Sequence, residues 1–128
     1  MAGSRGEEDD RTLERVRRLC LGLPGAEEAV LQRRPLFRVG NRRFALFNGS
    51  ASPPSARWDA SGRSLHFLSD PHELPALRED PRFVPSPHHG HRGWLAMRLE
   101  GADLDWDEVA ELVASAHRQV VPRPERSG

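Results

Sequence analysis

Long apolar runs are missing from this sequence, which excludes several classes of protein. No stretch approaches the roughly 20 consecutive apolar residues that a membrane-spanning helix needs. The first ten residues are polar and acidic, unlike the apolar centre of a signal peptide. We therefore expect a cytoplasmic protein with no membrane partner. The single cysteine, Cys20, excludes an intramolecular disulfide, and its place on an apolar helical stripe indicates a buried packing role.

Lysine, isoleucine and tyrosine are also absent, so all 19 basic residues are arginine. A bias of the coding sequence towards GC-rich codons explains this pattern without selection at any one site. Each arginine taken alone is therefore weak evidence for function. An arrangement of several arginines carries more weight.

The length and composition indicate one globular domain. The chain has 128 residues, of which 37% are apolar and 30% charged, a mixture far from that of disordered proteins. We expect a single domain over residues 10–121 that is a monomer. Residues 1–9 and 122–128 are predicted to be disordered tails.

The clearest predicted element is a β-hairpin. The segments Pro35–Val39 and Arg42–Phe47 are rich in Phe, Val and Leu, and the pair Gly40-Asn41 suits the positive φ angles of a two-residue turn. Such a turn sets Val39 opposite Arg42, Arg38 opposite Arg43 and Phe37 opposite Phe44. The apolar face is then expected to hold Phe37, Val39, Phe44 and Leu46.

The remaining pattern predicts three helices and further strands. Helices are expected over residues 10–21, from Asp70-Pro71 to near residue 80, and from the capping residue Asp105 to Pro122. A second hairpin is predicted from residues 56–59 and 63–68, and a strand over residues 94–99. The order of elements favours a two-layer α+β sandwich, in which helices cover an antiparallel sheet of about five strands.

Several short motifs resemble one known family. They are the segments 23–28 and 37–45, Asp70-Pro71 before a helix, and His88 six residues before Trp94. Together they resemble the MmcQ/YjbR family over residues 10–121. The resemblance implies a CyaY-like fold described as a double wing, for which members are labelled DNA-binding, and no established reaction. The sequence departs from the family pattern at His91 and Gly93, and at Ala116-His117.

The strongest functional feature is a set of arginines on and beside the first hairpin. Residues 30–64 hold seven arginines against one acid, whereas residues 99–117 hold six acids and no arginine. Arginines on a β-ribbon can bind DNA phosphates, so we expect DNA as the first candidate partner. The predicted contact residues are Arg33, Arg34, Arg38, Arg42 and Arg43, with His91 and Arg92 as a second contact.

Other chemistry has little support in the sequence. The histidines at positions 88, 89 and 91 match no zinc spacing, and Asp103, Asp105 and Asp107 lack the glycine and glutamate of a calcium loop, so no metal or cofactor is expected. No signature of a catalytic nucleophile accompanies Cys20 or Ser86, so we expect no enzyme. The alternative function is a module that binds a protein or small ligand. It would use the open sheet face with Trp58 and Trp94, or the acidic last helix.

Overall fold

The computed structural model describes residues 5–49, 62–87, 93–100 and 104–121, and it contains three helices and six strands there. The helices are α1 (Arg5–Leu21), α2 (Leu74–Glu79) and α3 (Trp106–Val120). The strands are β1 (Ala26–Leu31), β2 (Arg34–Val39), β3 (Arg42–Asn48), β4 (Ser64–Leu68), β5 (Phe83–Pro85) and β6 (Trp94–Arg98).

All six strands form one antiparallel sheet in the order β1-β2-β3-β4-β6-β5. Helices α1 and α3 contact strands β1 to β4 and share a core with one side of the sheet, which we call the helix face. This confirms the predicted α+β sandwich. We call the opposite side the distal face. The predicted strand at residues 56–59 lies outside the described residues.

Strands β1 and β5 were not predicted from the sequence. Strand β1 joins β2 through a two-residue turn at Gln32 and Arg33, both with positive φ (51° and 67°). Neither residue belongs to the Gly, Asn and Asp types that normally mark such turns, so the turn left no signal. Strand β5 has only three residues, ends in Pro85, and forms the edge of the sheet beside β6.

Helix α1 begins at Arg5, five residues before its predicted start. Residues 5–9 are therefore helical, which corrects the expectation of disorder there. A contact distant in sequence accompanies this extra turn: the guanidinium Nε of Arg63 donates to Asp9 Oδ1 at 2.6 Å. Helix α2 begins at Leu74, after a turn in which Asp70 Oδ1 accepts from the His72 amide. The predicted cap of α3 is present, because Asp105 accepts from the amides of Asp107 and Glu108.

A β-bulge changes the predicted register of the β2–β3 hairpin. The pairs next to the turn are as predicted, with Val39 opposite Arg42. The pairing then shifts, so that Phe37 faces Ala45 instead of Phe44. Because the bulge adds one residue to β3, Phe44 and Ala45 both lie in the core with the helices. Leu46, predicted on the same face as Phe44, packs on the distal face instead.

Candidate nucleic-acid interface

Three of the predicted contact residues lie on the distal face of β2 and β3. Arg34 and Arg38 lie two residues before and two residues after Leu36 on β2, so all three side chains are on the same face of the sheet. Leu36 belongs to the small distal cluster with Leu46 and Trp94. Arg43 lies directly opposite Arg38 across the β2–β3 pair. Arg34, Arg38 and Arg43 therefore share the distal face, although Arg34 lies roughly 13 Å along the strand from Arg38, at about 3.3 Å per residue.

The other predicted residues do not join these three. Arg33 lies in the turn before β2, at the opposite end of that strand from Arg42. The two ends of β2 are separated by roughly 17 Å at about 3.3 Å per residue. Arg42 pairs with Val39, whose side chain packs against the core on the helix face. His91 and Arg92 lie outside the described residues.

Arg38 and Arg43 form no ion pair with any acid in the described part of the chain. Arg17, Arg63 and Arg82, by contrast, each form ion pairs with two carboxylates. The hydrogen bonds that Arg17 donates to Glu28 and Glu14 hold its pKa above the usual value for arginine. Among the described residues, the buried Nε atom of Arg38 also has no hydrogen-bond partner. The fold thus leaves both guanidinium groups without a direct ion pair in the described structure.

Arg34 is held in place by neutral groups. Its Nε donates to Asn48 Oδ1 at 2.8 Å, and one terminal nitrogen donates to Gln32 Oε1 at 3.4 Å. The Asn48 amide in turn donates to the Gly62 carbonyl at 2.9 Å. These contacts orient the Arg34 side chain while leaving its positive charge available to an anion.

A buried polar cluster occupies the centre of the distal face. His66 Nδ1 lies 2.9 Å from the Ser86 hydroxyl, and His66 Nε2 lies 3.2 Å from the Ser64 hydroxyl. The Ser64 hydroxyl donates to the Gly62 carbonyl at 3.1 Å. All three side chains are buried, so the cluster is a hydrogen-bonded part of the interior. The signal for this cluster in the sequence is weak and consists of the two-residue alternation of β4.

The acidic helix lies on the other side of the molecule. Its exposed carboxylates belong to Asp105, Asp107 and Glu111, and α3 packs on the helix face. Of the two tryptophans suggested for an alternative contact surface, Trp94 is only 7% exposed and offers little surface, and Trp58 lies outside the described residues.

A cavity of about 370 Å³ lies between the end of β6 and the start of α3. Arg82 forms part of the cavity wall. Its guanidinium group donates two hydrogen bonds to the Glu108 carboxylate, at 2.8 and 3.0 Å, and further hydrogen bonds to Asp80. The bonds from Arg82 hold the pKa of the Asp80 carboxyl below its usual range. The cavity is lined by Pro81, Arg82, Met97, Arg98, Glu100, Leu104, Asp105 and Glu108.

Within the described ranges, no three His, Cys, Asp or Glu side chains are grouped in a way that could hold a metal ion. No helix there has the length and apolar character to cross a membrane.

The fold and this face define a small α+β protein whose sheet carries unneutralised arginines on the side away from its helices. The family model described as YjbR matches residues 21–119. The chain therefore belongs to the YjbR family, which confirms the resemblance found in the sequence.

Among the solved structures that resemble this chain is one that is similar over nearly its whole length. It is the crystal structure of a structural genomics target from Pseudomonas syringae, with a TM-score of 0.59 and 15% sequence identity. The match covers 93% of this chain and 100% of that one. At this identity the likeness shows the fold alone. No curated protein matches the chain.

Proposed function

We propose that this protein is a cytoplasmic DNA-binding module, without enzymatic activity, that contacts phosphates through the distal face. Arg34, Arg38 and Arg43 are the central contacts. The observation that carries the proposal is that these three arginines share one face and that none of them forms an ion pair with a described carboxylate. The outer contacts in this proposal are Arg33, Arg42, His91 and Arg92.

The proposed contacts are made with the DNA backbone and not with base edges. Phosphate contacts position a protein on the duplex and supply salt-dependent affinity, whereas sequence is read in the grooves. The described distal face presents arginines on a sheet and no helix that could enter a groove. We therefore expect binding with little sequence preference.

The test is fluorescence anisotropy of a labelled duplex, titrated with protein over a series of salt concentrations. Arg34 on one phosphate, and Arg38 with Arg43 on another, contribute about −1.8 to the slope of log K against log salt, at about −0.9 per phosphate. The variant Arg38→Gln/Arg43→Gln should remove about half of this contribution. A matched control, Arg11→Gln/Arg118→Gln, removes the same charge from exposed positions on α1 and α3.

The control variant should bind DNA as the wild type does. If both double variants weaken binding equally, only net charge matters and the proposed face is wrong. If the wild-type protein does not bind DNA at low salt, the proposed function is wrong.

Small-ligand binding is a second candidate, and the cavity beside Arg82 favours it. Its volume of about 370 Å³ lies at the lower end of the range for small-molecule pockets, about 300–1,000 Å³. It ranks second because Arg82, its central polar group, is already bonded to Asp80 and Glu108. A ligand screen by thermal shift tests this candidate. Hits should disappear in a Leu104→Trp variant, which fills the cavity, and hits that persist there would refute it.

A further inference from the structure

We infer that Arg38 and Arg43 act as a pair that holds one phosphate group between them. The inference rests on the proposed function for the source of that phosphate, the DNA backbone. The paired geometry itself comes from the register of the β2–β3 hairpin.

Arg38 and Arg43 lie directly opposite each other, and a bound anion would relieve the repulsion between their charges. Side chains facing each other across an antiparallel pair have Cβ atoms about 4.5–5.5 Å apart, and like charges in such pairs are destabilising. Both side chains lie on the same face, so their guanidinium groups can converge on a single oxyanion. Arginine presents a planar fork of donors that matches the oxygens of a phosphate.

The backbone around the pair is well defined. The tight turn at Gly40, with φ of +57°, lies on one side of the pair, and the bulge at Phe44 lies on the other. Phe44 is completely buried in the core, which anchors β3 next to Arg43. The backbone positions of the two arginines are therefore set before a ligand arrives.

Glu27 is the nearest acid by strand register, since it faces Arg38 across the β1–β2 pair. It nevertheless forms no ion pair with Arg38 in the described structure, and its side chain is exposed. The positive charge of the pair is thus available to an external anion.

Inorganic phosphate is the probe for this site. The melting temperature of the protein is measured in phosphate and in chloride at equal ionic strength and pH. A ligand that binds only the folded state stabilises it by mass action, so phosphate at about ten times its Kd should raise Tm by a few degrees. The variants Arg43→Gln and Arg38→Gln should each lose most of this rise, and the control Arg118→Gln should keep it.

A second readout follows the guanidinium N–H signals of Arg38 and Arg43 by NMR during the phosphate titration. Both sets should shift with the same apparent Kd. The inference is overturned if phosphate raises Tm no more than chloride does, or if either single variant keeps the full rise. A phosphate effect without DNA binding would refute the proposed function alone. DNA binding without a phosphate effect would refute only the paired site.

Discussion

The contact between Arg63 and Asp9 allows a sharp test of the fold, because it joins the first turn of α1 to the start of β4. The Arg63 side chain is 8% exposed, and its Nε lies 2.6 Å from Asp9 Oδ1. Glu8 is a weaker second partner, at 3.4 Å and 54% exposed. The perturbation we choose is Asp9→Asn, which keeps the shape of the side chain and removes its charge.

The expected loss of unfolding free energy in Asp9→Asn lies between the values known for buried and for exposed ion pairs. Removing one partner of a fully buried ion pair costs about 3–5 kcal/mol, whereas exposed pairs contribute about 0.2–1 kcal/mol. Asp9 is 20% exposed and Glu8 remains as a partner, so the screening by solvent is partial. We expect Asp9→Asn to lower the free energy of unfolding by about 2 kcal/mol, and Glu8→Gln by less than about 0.5 kcal/mol.

Urea denaturation of the single variants and of Asp9→Asn/Arg63→Met provides the measurement. The midpoint should fall in Asp9→Asn without a change in slope, because the same surface unfolds. The double variant should be more stable than the sum of its single changes predicts, since it leaves no buried charge alone. The contact between Arg63 and Asp9 does not anchor α1 if Asp9→Asn loses no more unfolding free energy than Glu8→Gln does. Additive losses of unfolding free energy in the double variant would lead to the same conclusion.

Three further predictions concern single side chains. Burial raises the pKa of the Cys20 thiol, so a thiol reagent at pH 8 should label the native protein far more slowly than the urea-unfolded protein; equal rates would contradict its burial. Arg82 lowers the pKa of Asp80 in the folded state, so the stability from this pair should be present above about pH 4, the usual Asp range, and be lost as pH falls through the lower folded pKa. Arg82→Gln should therefore reduce the stability difference between pH 6 and pH 2 in urea titrations, and an unchanged difference would count against the pair. Glu27→Gln should tighten duplex binding by up to several-fold in anisotropy titrations, because it removes the acid facing Arg38; unchanged affinity would place the bound phosphate elsewhere.

Much of the fold could be predicted from local patterns. The α3 stripe with its Asp105 cap, the Gly40-Asn41 turn and the alternation of β6 all carry strong local signals. Two features could not be predicted in this way. The first turn of α1 has a tertiary contact with Arg63, 54 residues away, and the turn before β2 uses residue types that carry no turn signal.

The candidate site was predicted only in part, because a bulge in β3 interrupts the local alternation on which the prediction depends. Strand alternation correctly set Arg38 opposite Arg43 because that pair lies close to the turn. Beyond the bulge, alternation gave the wrong side for Leu46, since one extra residue reverses the faces that follow. Arg33 and Arg42 are close in sequence to the three distal arginines but do not share their face. Arg33 lies in the turn before β2, and Arg42 pairs with Val39, whose side chain packs on the helix face.

The position of the acidic helix decides whether a chain of zero net charge can bind a polyanion through one face. The exposed acids of α3 lie on its outer side, so roughly a helix diameter of 10–12 Å, in addition to the sheet, separates them from the distal arginines. The Debye length is about 8 Å at physiological ionic strength. Repulsion from α3 is then largely screened at the distal face, whereas at low salt it extends across the molecule. Neutralising Asp107 and Glu111 together should therefore strengthen duplex binding at about 10 mM salt, where the Debye length is about 30 Å, and have little effect at 150 mM. An equal gain at both salt concentrations would indicate that DNA contacts the acidic helix directly, and that the distal face is not the binding surface.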